Sequence, residues 1–301
     1  VTLTKDNHGE IEIERQLYVR GVVLDKLTHD AWFIGSGAEQ RLKEKIERIG
    51  KPLKDWDVNI YRGVLTGLNE AFIITTEKRN EILANCKDEA EKKRTEAIIK
   101  PILRGRDIKR YYYEWAGLWV IVIPAGWTNE NRGKENAEKF IEKVFSSLMN
   151  HLRPFEAKAK KRDDQGDYWW ELRACAYYPE FEKEKVVWKR IGSVIRFALD
   201  TQGTYPLDSN VVMTGNHIKY LCGYLNSKIS IKQLLENSPK TGTGDVIISV
   251  QALEPHKIPP ITPVNQPIVK QIESLVDKIL AAKKQNPQAD TKNLENEIDQ
   301  L

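Results

Sequence analysis

RGVLTGLNEAFII, Arg62 to Ile74, reads as a corner that leads into a strand. Gly63 and Gly67 free the backbone for tight turns, Arg62, Thr66 and Asn69 supply donors and acceptors, and Ala71 to Thr75 is an apolar run of strand length. A second stretch, IIKPILRGRDIKRY from Ile98 to Tyr111, gathers Lys100, Arg104, Arg106, Lys109 and Arg110 around Gly105. Turns rich in Gly, Thr, Asn and Arg suit a phosphate backbone and can offer side chains to base edges. The competing reading is an ordinary corner and a solvated loop in which Asp107 partly neutralises its neighbours. Neither stretch contains a catalytic set.

Upstream, Ile11, Ile13, Tyr18, Val19, Val22 and Val23 alternate as strands closed by a turn at Gly35 to Gly37, and Leu42, Ile46 and Ile49 predict a helix stopped by Gly50 and Pro52. Downstream, Thr76 to Ile99 reads as one or two polar helices around Leu83 with a break near Asn85 to Lys87, and Leu118 to Ile123 as a buried strand. Phe140, Val144, Leu148 and Leu152 predict one long helix, and Val186 to Ile191 with Val194 to Leu199 a strand pair joined through Gly192 and Ser193. His217 to Leu235 reads as a further helix, Thr241 to Gly244 as a loop, and Val246 to Val250 as a strand. A stiff Ile258 to Pro263 linker then leads to apolar stripes at Ile268 to Leu280 and Leu294 to Leu301. The expectation is an α+β protein, with a mixed β-sheet body, flanking helices and a C-terminal helical arm, divided into residues 1–49, 50–262 and 263–301. The start at Val1 and the end within an amphipathic pattern suggest a piece of a longer protein.

A formal charge of +4 over 301 residues is too mild to announce a nucleic-acid binder, so local clusters such as His151 to Arg162 must carry the argument. Cys86, Cys175 and Cys222 form no CxxC pair, which suggests a reducing, cytoplasmic compartment and neither zinc nor disulfides. No apolar run approaches the roughly 20 residues of a membrane span, so no membrane partner is expected.

Catalytic and metal-binding residues are not expected. The five histidines are scattered, with no HExxH or GxSxG. KTGTGD, Lys240 to Asp245, lacks the spacing of a phosphate loop, and Asn286-Pro287-Gln288 is not the signature of an amino-group methyltransferase. Glu91 and Lys93 leave a metal nuclease open as a rival reading. Tyr168, Trp169 and Trp170 beside Arg173 suit base stacking, but adjacent tryptophans more often fill a core.

In combination, GKPL at Gly50, RGVLTGLNEAFII, IIKPILRGRDIKRY, HLRPFEAKAKKR at His151, DYWWELR at Asp167, FEKEKVVWKRI at Phe181, YLCGYLNS at Tyr220 and IPPI at Ile258 resemble one family. It is the TaqI-like C-terminal specificity domain of type II, type IIG-like, restriction-modification enzymes that methylate adenine. The resemblance covers about residues 50–301. It implies recognition of double-stranded DNA, with a catalytic methyltransferase domain in the same polypeptide that uses S-adenosylmethionine to modify adenine N6. Some members also carry a nuclease domain, which implies magnesium. A stand-alone specificity subunit is the other alternative.

The residues expected to face DNA are Arg62, Thr66, Asn69, Lys100, Arg104, Arg106, Lys109, Arg110, Arg162, Lys240 and Thr243. Among them Thr66, Asn69, Arg162, Lys240 and Thr243 are the candidate base readers, because turn and loop side chains are not expected to be needed for packing.

Overall fold

The computed structural model describes residues 37–301, so the strands expected between residues 10 and 35 lie outside the described residues. Strands in this part of the chain are β1 (Lys51–Pro52), β2 (Val58–Arg62), β3 (Ile73–Thr75), β4 (Ile99–Leu103), β5 (Leu118–Ile121) and β6 (Lys185–Lys189). They continue as β7 (Ile191–Gly192), β8 (Phe197–Asp200), β9 (Tyr205–Pro206), β10 (Asn210–Gly215), β11 (Val246–Ile247) and β12 (Lys257–Ile258). The described residues divide into a small unit, 37–56 with 255–262, and a large one, 57–254 with 263–301.

In the small unit the expected helix, Gly37–Ile49, ends as Gly50 N–H donates to Ile46 O at 2.7 Å. A Cβ on Gly50 would meet that oxygen at 2.8 Å, so glycine fits the close approach. β1 then pairs antiparallel with β12, and Leu53 N–H donates to His256 O across fully buried Leu53. Burial holds the His256 imidazole well below its ordinary pKa, at about 4.

The large unit is built on two four-stranded sheets. One is antiparallel in the order β2-β10-β6-β8, and the other runs β3-β5-β4-β9 with β4 and β9 parallel, which gives the mixed α+β architecture expected. A short antiparallel ribbon, β7 with β11, stands beside the strand pair β6–β8. Phe72, Ile102, Val120, Leu148, Trp169, Trp170, Phe181, Val187 and Val212 share one core, so the adjacent tryptophans are packing residues.

Several expected elements are shorter than their periodicity suggests, among them the strands expected at 71–75, where Ala71 and Phe72 belong to a helical turn, at 118–123, and at 186–191 with 194–199. The helix through Phe140 and Leu152 is two helices, Ala137–Val144 and Ser146–Leu152. Phe145 leaves the helical region at their junction, and the buried Glu91 carboxylate accepts Ser147 N–H at 2.9 Å, capping the second helix from another segment. The helix expected from His217 is split into Ile218–Leu225 and Lys228–Asn237, because the Ser227 hydroxyl accepts Ser230 N–H and starts a new helix. The strand expected at Val246 to Val250 stops at Ile247, where Ser249 caps the helix Val250–Leu253. The stripe expected near the C-terminus buries Ile272 and Val276 against Gly223, where a Cβ would lie 2.4 Å from Ile272 Cγ2. No helix among the described residues is long and apolar enough to cross a membrane.

Lys185 and Asp200, opposite one another in β6 and β8, form a fully buried ion pair at 2.5 Å. Lys185 also donates to Phe181 O, while Asp200 accepts from Tyr113, Gln202 and Thr204. Asp200→Asn leaves the Lys185 charge uncompensated and is expected to lower unfolding free energy by about 3–5 kcal/mol in urea titrations. Titration of His256 gives a second expectation. Because its folded pKa is depressed, its contribution is complete above the unfolded value near 6.5 and is lost as pH falls toward about 4. The urea midpoint should therefore drop between pH 7 and pH 4.5 by less in His256→Gln than in the parent.

Candidate nucleic-acid interface

Strand register brings a row of cations to one end of the antiparallel sheet. Arg62, the last residue of β2, is opposite Val211, and Lys189, the last residue of β6, is opposite Asn210. Trp188 pairs with Phe197, so Arg196 enters β8 beside Lys189. From β2 to β8 the sheet crosses three strand spacings, about 14 Å, comparable with the ~12 Å width of a DNA major groove.

The loop after β4 completes this end. Arg104 forms a bidentate pair with Asp107, at 3.1 and 2.7 Å, and the same carboxylate accepts Arg104 N–H, which fixes the turn Gly105–Asp107. Asn210 holds the strand before that turn by donating to Leu103 O at 2.8 Å. A Cβ on Gly105 would lie 2.9 Å from Lys189 Cγ, so the missing side chain lets the loop lie against Lys189. Arg106, Lys189 and Arg196 then line one hollow with Gly105, Gly192 and Val194. Arg62, Arg173 and Arg190 line a second with Cys175, Tyr177 and Tyr178. Burial pushes the Cys175 thiol and the Tyr177 hydroxyl up from their ordinary values.

Among the described residues Arg62, Arg106, Lys189, Arg190 and Arg196 form no ion pair, whereas most other candidate cations are already matched. Lys100 lies 2.9 Å from Glu182, Lys109 lies 3.2 Å from Glu114, and Arg110 pairs with Glu295 and donates to Asn226 O. Most of the cluster from His151 onward is likewise tied up, with Arg153 on Glu138, Glu142 and Glu156, Lys158 on Glu70, and Lys160 on Glu156, while exposed Lys161 is unmatched. A cation neutralised by a neighbour contributes little outward field, whereas the sheet end brings several unmatched cations together where an anion can reach them.

Two candidate base readers are needed for packing after all. Arg162 is 7% exposed and donates to Thr66 O, Trp169 O at 2.6 Å, and Glu171 O at 3.0 Å, with its guanidinium 4.4 Å from the Phe72 ring. Burial lowers its pKa to about 10. Thr66 is fully buried and donates to Asn69 Oδ1 at 2.6 Å. Both are corrected from DNA-facing side chains to supports of the loop after Arg62, because the carbonyls of that corner need a buried donor. Asn69 is exposed. Lys240 and Thr243 are exposed in the loop before β11, which pairing with β7 sets beside residues 190–196.

The residues missed by sequence reasoning are Lys189, Arg190 and Arg196. Their signal was the placement of cations at both ends of a strand pair, KVVWKRIGSVIR from Lys185, rather than in one dense run. The rival Glu91–Lys93 constellation is not assembled. Glu91 is fully buried and accepts the backbone N–H of Lys87 and Ser147, while Lys93 is exposed.

Residues 100–248 match the family model of the TaqI-like C-terminal specificity domain, a narrower span than the resemblance at 50–301. The match takes in Arg106, Arg173, Lys189, Arg190 and Arg196 and begins after Arg62. Among solved structures, the type IIL restriction-modification enzyme MmeI in complex with DNA is similar over 83% of this chain and 32% of its own, at 14% identity and a TM-score of 0.55. The type IIG restriction endonuclease BpuSI matches over 89% of this chain and 33% of its own, at 12% identity and a TM-score of 0.45. The chain thus spans about a third of the length of each. No curated protein matches it.

The buried and exposed cations should separate cleanly in unfolding experiments. Arg162→Ala strands the carbonyls of Thr66 and Trp169, each worth about 1–3 kcal/mol when left unpaired, while Glu171 O keeps the Gly166 N–H, so a loss of at least about 2 kcal/mol is expected in urea titrations. Arg106→Ala and Arg196→Ala should stay within about 0.5 kcal/mol of the parent.

Proposed function

We propose, from a chain whose residues 100–248 match a TaqI-like C-terminal specificity domain, that this protein recognises duplex DNA as the target-reading part of a restriction-modification enzyme. The observation that carries the reading is the row of unmatched cations, Arg62, Arg106, Lys189, Arg190 and Arg196, at one sheet end. Such a row meets phosphates and fixes the register of the protein on the duplex, while loop side chains between the cations reach base edges. Asn69, Lys240 and Thr243 remain candidates for that second role.

The chemistry belongs to the rest of the enzyme in this reading. A catalytic methyltransferase domain of the same polypeptide supplies S-adenosylmethionine-dependent transfer to adenine N6, and a nuclease domain with magnesium accompanies it where the enzyme also cleaves. The Gly/Thr loop at Lys240 to Asp245 runs from a helix into β11, the reverse of the strand-to-helix order that points backbone N–H groups at a phosphate. The contribution of this chain is grip and register, which help offset the unstacking needed to extrude the target base.

Fluorescence anisotropy of a labelled duplex across 50–200 mM salt tests the reading. Affinity should fall steeply with salt, and Arg106→Ala, Lys189→Ala and Arg196→Ala should each reduce the log–log slope by about 1. Binding that is absent at low salt, or slopes that none of these substitutions changes, would refute it.

A further inference from the structure

Between the cations of the sheet end lies an apolar side chain that the fold leaves in water. Val194 is 58% exposed in the connection between β7 and β8, next to exposed Ser193. It shares its hollow with Arg106, Lys189 and Arg196. A β-branched residue gains nothing by exposure, and nothing in the connection requires one, since the flanking Gly192 and Ser193 already supply the turn.

The connection is well anchored. β7 pairs with β11, Ile248 N–H donates to Arg190 O at 2.8 Å, and the buried Trp188 indole donates to Ile248 O at 2.9 Å. Arg190 N–H in turn donates to Ser209 O at 2.9 Å. The tip is therefore the connection 190–196 between the paired strands β6 and β8, held by the β7–β11 ribbon and bordered by Arg106, Lys189 and Arg196. A two-stranded ribbon of this kind fits the DNA major groove, where the feature an aliphatic side chain can read is the thymine 5-methyl group.

We infer that Val194 is a specificity-determining residue that contacts a thymine methyl in the major groove, with the neighbouring Lys189 and Arg196 holding phosphate beside it. This rests on the DNA-recognition reading and adds to it one residue and the base feature it reads. A contact of this kind discriminates among sequences without changing the number of phosphates neutralised, so its signature differs from that of the surrounding cations.

The test uses the protein in its full reading frame, wild type and Val194→Ala, each selected on a randomised duplex library and on the same library with deoxyuridine in place of thymidine. Wild type should enrich a motif containing at least one thymine whose preference falls about four- to fifteenfold on deoxyuridine. Val194→Ala should show the same loss at the same position on the thymidine library, as removal of one or two buried methyl-sized groups predicts. Its salt slope and melting temperature should match wild type. An unchanged motif, a uniform loss of affinity, or relaxation at a position indifferent to deoxyuridine would overturn the assignment of Val194. Failure of wild type to bind duplex DNA would instead overturn the DNA-recognition reading on which it rests.

Discussion

A buried charge that must find its partner fixes the register on which the site depends. Lys185 and Asp200 are both fully buried and 2.5 Å apart. Slipping β6 against β8 by one residue would separate them and turn the side chains of β6 to the opposite face, leaving an ammonium and a carboxylate unmatched at a cost of several kcal/mol. A buried pair of this kind adds little net stability compared with apolar residues, yet it penalises every other alignment heavily. Burial draws the Lys185 pKa down, and Asp200, opposing that shift, keeps the ammonium matched. With the register set, Lys189 is carried to the last rung of β6, Arg196 to the approach to β8, and Val194 to the connection between them.

A second buried cation performs the equivalent task for the other flank. Arg162 collects the carbonyls of Thr66, Trp169 and Glu171, while Glu171 accepts from Gly126, Thr128 and Asp167 N–H groups. The corner that follows Arg62 is thereby tied to the core, and Gly67, at a positive φ of 65° with Arg162 Cδ 3.2 Å from where its Cβ would be, admits no larger residue without strain. The interface thus divides its basic residues by role. Arg104, Arg110 and Arg162 are used up in building the surface, and Arg62, Arg106, Lys189 and Arg196 are left for an anion.

Much of the fold was legible because its elements follow local rules. The break between the helices Thr76–Ala84 and Glu89–Ile98, the buried strand β5, the β6–β8 pairing and the C-terminal helix stripe were all visible in spacing and turn residues. What sequence could not show was capping by distant groups, such as the Glu91 carboxylate that starts the helix at Ser146. Counting cations along the chain misjudged the site for a related reason. Dense runs such as Lys100 to Arg110 are met by acids brought close by folding, including Glu182 and Glu295, whereas sparse cations at strand ends converge across the sheet and stay unmatched.

Lysine protection footprinting addresses the central claim most directly, since it reports where DNA covers the surface without substituting any residue. The protein is acetylated with and without duplex DNA, and modification at each lysine is read by mass spectrometry. Strong protection of Lys189, with Lys100, Lys109 and Lys158 modified equally in both samples, is expected if the sheet end faces the duplex. Unchanged modification of Lys189, together with protection of the 100–110 or 151–162 segments, would contradict it.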